Sequence, residues 1–528
     1  MIHRIYRGSK CSHPSESHRW IRRSIATLLI SLLFGVAGCA APKMKDELIR
    51  TEPGFALAPA DGGVVAEIAR GVALEHGSEA SGFQLLDASA DGLKWRVALI
   101  DSAVSSVDIQ TYLWYPDNSG RLIMERAIRA ADRGVKVRMI VDDLLTIGHD
   151  QLIKELDERA NIEFRIFNPW SDRDMLSRGG EMIAQMERLN TRMHDKLLIV
   201  DGRAAVVGGR NIGDHYFGLS PAYNFHDLDL IAFGHLAAQA NDMFDQFWNS
   251  EWVVSAQNLD VVPNPEFVRE AWQRMLRTNR EAVELQPFLR DPPDWVADLS
   301  TLSDQLHIGT SHLAYDAATA GEISQNLGRE MFAFLRQAQE ELLITNAYII
   351  PGDRAIELLQ SLADRGVKVR ILTNSLASHD VPAVNSHYKD WRDDIINTGA
   401  DLYELRSDPA IKSIVDVPPV VAEFTGLHTK AVVIDRKRVF VGSMNFDPRS
   451  FNINTEMGAF VDSAELGEEL ARLMERDMEP DNAWQVLLDA DGNPYWVNSD
   501  ETVYEQPARG GSQRVMDVIF KMFPKDQY

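Results

Sequence analysis

At 528 residues, with 45% hydrophobic and 25% charged side chains, the chain is long enough for two or three domains with sizeable cores. Its 54 Lys+Arg stand against 78 Asp+Glu, and the formal charge of -24 repels polyanions over most of the surface, which argues against broad nucleic-acid binding. An anionic substrate must therefore be held by a local basic pocket.

The chain starts unlike the rest. Arg19, Arg22 and Arg23 precede SIATLLISLLFGV at 24–36, an apolar run short of the roughly 20 residues a membrane-spanning helix needs and suited to a signal peptide. It ends in Val36-Ala37-Gly38-Cys39, which resembles the lipobox of bacterial lipoproteins. That resemblance implies removal of residues 1–38, acylation of Cys39 and a lipid bilayer as partner through the anchor. It also implies a cell-envelope location with the body in the periplasm, and Ala40 and Ala41 resemble the default outer-membrane sorting pattern. Cys11, the other of 2 cysteines, falls in the removed segment, so the mature chain is expected to have no internal disulfide. Residues 39–80, rich in Ala and Gly, read as a tether with a short helix.

From there the chain repeats itself. The strand candidate SVDIQTYLWY, the helical pattern RLIMERAIRA, the turn ADRGVKVR at 131–138 and the strand MIVDD return as ELLITNAYII, AIELLQSLA, ADRGVKVR at 363–370 and ILTNS. This alternation is that of an α/β fold. It predicts two homologous domains, 81–285 and 301–485, joined by a proline-bearing linker at 286–300 and followed by a tail at 486–528. Within the tail, RVMDVIFKMF at 514–523 has an amphipathic helical pattern that suits a terminal helix docked on the core. The aromatics in TYLWY and FDQFWNSEW could contact acyl chains, but at these spacings a core role is expected over that one.

Each repeat carries one chemical motif, MHDKLLIVDGRAAVVGGRN from 193 and LHTKAVVIDRKRVFVGSMN, whose histidine is residue 428. The run after each lysine is a buried-strand pattern, and strand side chains alternate, so His194 and Lys196 project to one side, as do His428 and Lys430. Asp201 and Asp435 complete the motifs and are counted among the candidate catalytic residues, although one strand-length from the histidines a turn role is expected over direct catalysis. The returning strands bring back Asn211 in one half and Ser443 and Asn445 in the other as hydrogen-bond donors for a phosphate.

Two imidazoles, two ammoniums and several neutral donors suit a phosphodiester. Lysines and amides stabilise the non-bridging oxygens, one histidine attacks phosphorus and the other protonates the departing oxygen. The chemistry demands no metal and no cofactor. Each histidine needs an orienting partner, and Asp227, 33 residues after His194, and Glu456, 28 residues after His428, are the candidates. Carboxylates beside the rings are expected to raise the imidazole pKa values.

The duplicated HxKx4D pattern resembles the signature of the phospholipase D superfamily over nearly all of the chain after about residue 80. RLNTRMHDK, VGGRNIGDHYFG, NSLASHDVPAV and GSMNFDPRSFNINTEMG resemble the bacterial cardiolipin synthase C group in particular. The resemblance implies two α/β domains in pseudo-twofold arrangement sharing one active site, metal-independent turnover and a phosphohistidine intermediate. His194 would be the nucleophile and His428 the acid, although the residues alone permit the reverse. It implies phospholipid substrates, with a phosphatidyl unit moved from a donor, phosphatidylethanolamine, onto phosphatidylglycerol. Hydrolysis to phosphatidic acid and a nuclease activity are the alternatives. Oligomeric state is not legible.

Overall fold

The computed structural model describes residues 43–514 apart from 46–47, 50–51, 174–180, 182–183, 291–292, 320–321 and 512, all within the compact unit Lys43–Tyr528. The signal-peptide segment, Cys39 and nearly all of 514–523 lie outside the described residues.

A mixed α/β architecture is organised on one 18-stranded sheet with a near-palindromic strand order. Its centre is the antiparallel pair Ala80–Leu86 and His307–Tyr315. Moving outward through the first half, the strands are Asp229–Gly234, Ala204–Gly208, Lys196–Val200, Ser106–Thr111, Lys136–Asp142, Ile162–Phe167 and Val253–Ser255. Outward through the second half they are Met457–Asp462, Arg438–Gly442, Lys430–Ile434, Glu341–Asn346, Lys368–Asn374, Asp401–Leu405 and Ala483–Leu488. In each half the neighbouring strands joined through a crossover helix run parallel, as such connections require. The repeated sequence thus becomes a repeated topology about the central pair.

The helix Asn118–Asp132 shows how the repeat specifies itself. Asp117 caps it by accepting from the Gly120 N–H, and its apolar stripe, including Leu122, Ile123 and Ala127, is buried. It ends at Gly134 with φ 95°, and the equivalent Gly366 has φ 83°. Open space surrounds the missing Cβ at both positions, so the left-handed backbone explains the repeated glycine, not crowding.

Asp201 and Asp435, included above among the candidate catalytic residues, do not reach the site. They occupy left-handed turns (φ 56° and 51°) at the far end of the lysine strands from the histidines. The Asp201 carboxylate accepts from the N–H groups of Val104, Ser105 and Ser106. Asp435 accepts from those of Gln339, Glu340 and Glu341. Each ties the motif turn to the start of the neighbouring strand, satisfying backbone donors that the sheet leaves over.

Two peripheral stretches differ from expectation. Within the stretch expected as a linker, Phe288, Trp295 and Leu299 are buried, and the Trp295 indole donates to Asp101 at 3.0 Å. Part of the tail extends the sheet as Pro494–Val497 and Thr502–Val503, anchored by the buried Trp496, whose indole donates to Glu404 at 2.8 Å. In both places one tryptophan outweighs a locally polar sequence.

Candidate active site

Two short parallel ladders cross between the halves. Tyr223–His226 pairs with Phe424–Leu427, and Met193 bridges to Thr455. The His428 N–H donates to the carbonyl of His226 at 2.8 Å, and the His194 N–H to that of Thr455 at 3.0 Å. Each histidine is therefore registered against the residue just before a carboxylate of the other half.

The carboxylates consequently cross over. His194 Nδ1 lies 2.8 Å from Glu456 Oε2, and His428 Nδ1 lies 2.6 Å from Asp227 Oδ2. Both candidates are partners, each of the histidine in the other half. Spacing along the chain cannot reveal this, because the pairing is set by the inter-half ladders.

The two pairs are unequal. Ser443 donates its hydroxyl to Glu456 Oε2 at 2.5 Å and is fully buried, so it holds the carboxyl instead of facing a phosphate as the sequence suggested. The equivalent Gly209 has no side chain, and a Cβ there would come within 2.1 Å of Asp227 Oδ1. A glycine with the shorter acid in one half stands where serine with the longer acid stands in the other.

The electrostatics follow burial. Lys196 and Lys430 are almost wholly buried, each donating to the carbonyl of its motif histidine. Burial lowers the Lys196 pKa to about 7, with Lys430 adding repulsion, and lowers that of Lys430 to about 8. Burial and then the lysines push His194 well below the usual imidazole value, and the same causes lower His428, partly offset by Asp227. The expected upward shift of the rings is thus overturned: loss of water and two nearby ammoniums outweigh the carboxylates. Burial also raises Glu456 well above the ordinary range. Burial opposes ionisation of Asp227 too, but His428 and Lys430 outweigh it and hold that carboxyl low.

Both histidines face one cavity of about 290 Å³. Asn211 and Asn445 line it as expected, and the buried Asn445 Oδ1 has no partner among the described residues. Other wall residues were missed. Tyr112 and Tyr115, from the TYLWY segment read as core, line it, with the Tyr112 ring edge-on to His194 at 5.2 Å. The aromatics Phe244, Phe247 and Trp248 do lie in the core. Tyr348, which takes the register of Leu113 in the second half, also lines the cavity and donates to Asp380 at 2.8 Å. Arg449 also lines the cavity, and its guanidinium donates to the Asn190 carbonyl at 2.6 Å. Asp214 accepts from the Ser119 N–H at 2.7 Å at the start of a helix, in keeping with a capping role.

Residues 97–248 and 331–478 each match a domain family described as "Cardiolipin synthase, PLD-like domain". Over 457 residues the chain is 34% identical to cardiolipin synthase C of Escherichia coli K12, covering 83% of this chain and 94% of that protein. It is 31% identical over 410 residues to an uncharacterized protein of Helicobacter pylori J99, covering 76% of this chain and 80% of the relative. Among solved structures, the phosphatidylserine synthase of Haemophilus influenzae Rd KW20 superposes with a TM-score of 0.50 at 14% identity, over 78% of this chain and 90% of that one, a likeness of fold.

Proposed function

Because this chain belongs to the cardiolipin synthase group of phospholipase D-like proteins and is a phospholipase D-type phosphatidyltransferase, we propose that it joins two phospholipids into cardiolipin. The acceptor is phosphatidylglycerol and the donor a second phospholipid, with phosphatidylethanolamine the first choice. The observation that carries this reading is the pair of histidines from opposite halves, each with its Nδ1 on a buried carboxyl and both facing one cavity.

With the Nδ1 hydrogen engaged by Glu456, the lone pair of His194 resides on Nε2 and attacks the donor phosphorus. The phosphorus–oxygen bond to the head-group alcohol breaks, and His428 Nε2 delivers its proton to the departing oxygen. In the second step His428 takes the proton from the phosphatidylglycerol hydroxyl. That oxygen attacks phosphorus, and the bond to His194 breaks. Lys196 and Lys430 stabilise charge on the non-bridging oxygens, while the amides of Asn211 and Asn445 donate to them. The unequal pairs support this direction of roles. The ring pushed furthest down, beside a carboxyl whose ionisation burial opposes, suits the attacking nitrogen, and the ring beside Asp227, whose carboxyl is held low, suits the proton carrier.

A bilayer anchor at Cys39, with the body in the periplasm at the outer membrane, belongs to the same proposal and rests on the lipobox-like sequence. Among the described residues no helix is long and apolar enough to cross a membrane.

Turnover should report the lysines. Their ammonium forms bind the phosphate, and these are lost as pH rises through about 7 for Lys196 and about 8 for Lys430. A profile of kcat/KM against pH is thus expected to fall on its alkaline side from near pH 7, well before free lysine would titrate. A flat profile up to pH 10 would show that the ammonium charges are not what binds substrate.

The functional reading is tested by thin-layer and mass-spectrometric product analysis of purified protein in micelles of phosphatidylglycerol, phosphatidylethanolamine or both. Cardiolipin identifies the transferase, and its dependence on the second lipid identifies the donor. Phosphatidic acid as sole product would make the protein a hydrolase.

A further inference from the structure

A second cavity, of about 330 Å³, lies behind the wall of the catalytic one. The two share the segment after the strand Ser106–Thr111. Leu113 and Tyr115 line the catalytic cavity, and Trp114 and Pro116 line the other. The wall is tied to the site itself, because the Leu113 N–H donates to Asn211 Oδ1 at 3.2 Å.

The floor of this second cavity reaches Val141, Leu156 and Phe164, all buried. One side is the helix Pro265–Glu281, through Ala271, Trp272 and Met275. That helix follows the outermost strand of the first half. After the equivalent strand the second half has instead the strands Pro494–Val497 and Thr502–Val503. The catalytic residues are therefore nearly twofold, while among the described residues the helix that walls this cavity has no counterpart after the equivalent strand. A transferase whose donor and acceptor must be told apart needs such an asymmetry beside a symmetric centre.

The rim has the opposite chemistry. Arg121, Arg274 and His149 line it. The Arg121 guanidinium is fixed by the Pro116 carbonyl at 2.6 Å, and its buried Nε has no partner among the described residues. In a chain of net charge -24, an apolar pocket rimmed by arginines fits an anionic amphiphile. The volume, at the lower end of the roughly 300–1,000 Å³ of small-molecule sites, suits one hydrocarbon chain better than a whole lipid.

We propose that this cavity is the acceptor subsite, holding one acyl chain of phosphatidylglycerol with the lipid's own phosphate at Arg121 and Arg274. The glycerol then passes over the Tyr115–Pro116 wall and presents its terminal hydroxyl to His428. This assignment rests on the transferase reading above. It supplies what transfer needs to outcompete hydrolysis, an alcohol held in place at the phosphorylated histidine.

The test is photolabelling of the full chain with phosphatidylglycerol carrying a diazirine in one acyl chain, followed by peptide mapping. Label is expected within 118–132 and 265–281. Ala271→Trp, which fills the cavity away from the catalytic groups, should reduce that labelling about tenfold, the loss of a few buried methylenes. It should raise KM for phosphatidylglycerol by a similar factor and divert product towards phosphatidic acid, with donor consumption and the thermal midpoint kept. Free fatty acid at equal concentration should not displace the label. Label confined to other segments, label unchanged in Ala271→Trp, or displacement by free fatty acid would each overturn the assignment. Pocket labelling in a protein that makes no cardiolipin would sink the transferase reading and leave the acyl site standing.

Discussion

His194→Ala is expected to lower turnover by at least about 10⁴-fold, and no choice of substrate should restore it, because the atom that bonds to phosphorus is gone. His428→Ala should behave differently. Its loss on a phospholipid is expected to be about 10²–10⁴-fold, the usual contribution of a positioned acid or base. A donor whose leaving group is a nitrophenol needs little protonation, so most of that loss should vanish in the first step. The second step still needs a base, so His428→Ala should release nitrophenol in a burst and then stall as a phosphatidyl adduct on His194. Quenched-flow release of nitrophenol together with mass spectrometry of the active-site peptide reads both events. A burst and adduct in His194→Ala, with none in His428→Ala, would reverse the roles. The unequal neighbours argue for the direction given: Glu456 is raised and Asp227 is held low, so the two rings enter the cycle with different tendencies to carry a proton.

Much of this site was legible because it is duplicated. The histidines, lysines and Asn211 and Asn445 could be named from spacing, since strand alternation and a short return strand fix which side chains emerge together. The two-half α/β architecture was legible for the same reason, from ADRGVKVR occurring twice and demanding a left-handed glycine each time. What stayed hidden depends on contacts between the halves. The crossover of Asp227 and Glu456 arises from two short ladders whose partners are some two hundred residues or more apart, and no local pattern encodes them. The pKa directions were misread because the sequence shows the carboxylates but not the burial, and desolvation is the larger effect. TYLWY was misread because an aromatic that lines a cavity and one that fills a core obey the same periodicity. Ser443 was placed on the substrate because a hydroxyl beside a predicted phosphate site gives no sign that a glutamate lies behind it.

The crossover carries the second large effect. In Glu456→Gln the amide can donate to His194 Nδ1, which forces the ring hydrogen onto Nε2 and removes the attacking lone pair. Turnover is expected to fall by up to about 10⁴-fold, as when an orienting carboxylate is lost and the wrong tautomer results. Asp227→Asn should act on His428 in the same way, but with the nitrophenyl donor it should retain its burst, which Glu456→Gln should not. Ser443→Ala, which removes only the hydroxyl that holds Glu456, should cost about tenfold, the worth of one hydrogen bond to a charged or nearly charged group. Rate effects of residues acting as a unit do not partition, so the pairing itself is best read from stability. Denaturant unfolding of single and double variants should show coupling above about 0.5 kcal/mol between His194→Ala and Glu456→Gln and between His428→Ala and Asp227→Asn. The pairs within one half, His194 with Asp227 and His428 with Glu456, should be closer to additive. Coupling confined to those same-half pairs would mean that each half orients its own histidine, and that the two halves meet only at the substrate. Coupling across the halves would mean that neither half holds a working histidine alone, which gives a physical reason for both copies of the motif to remain in one chain.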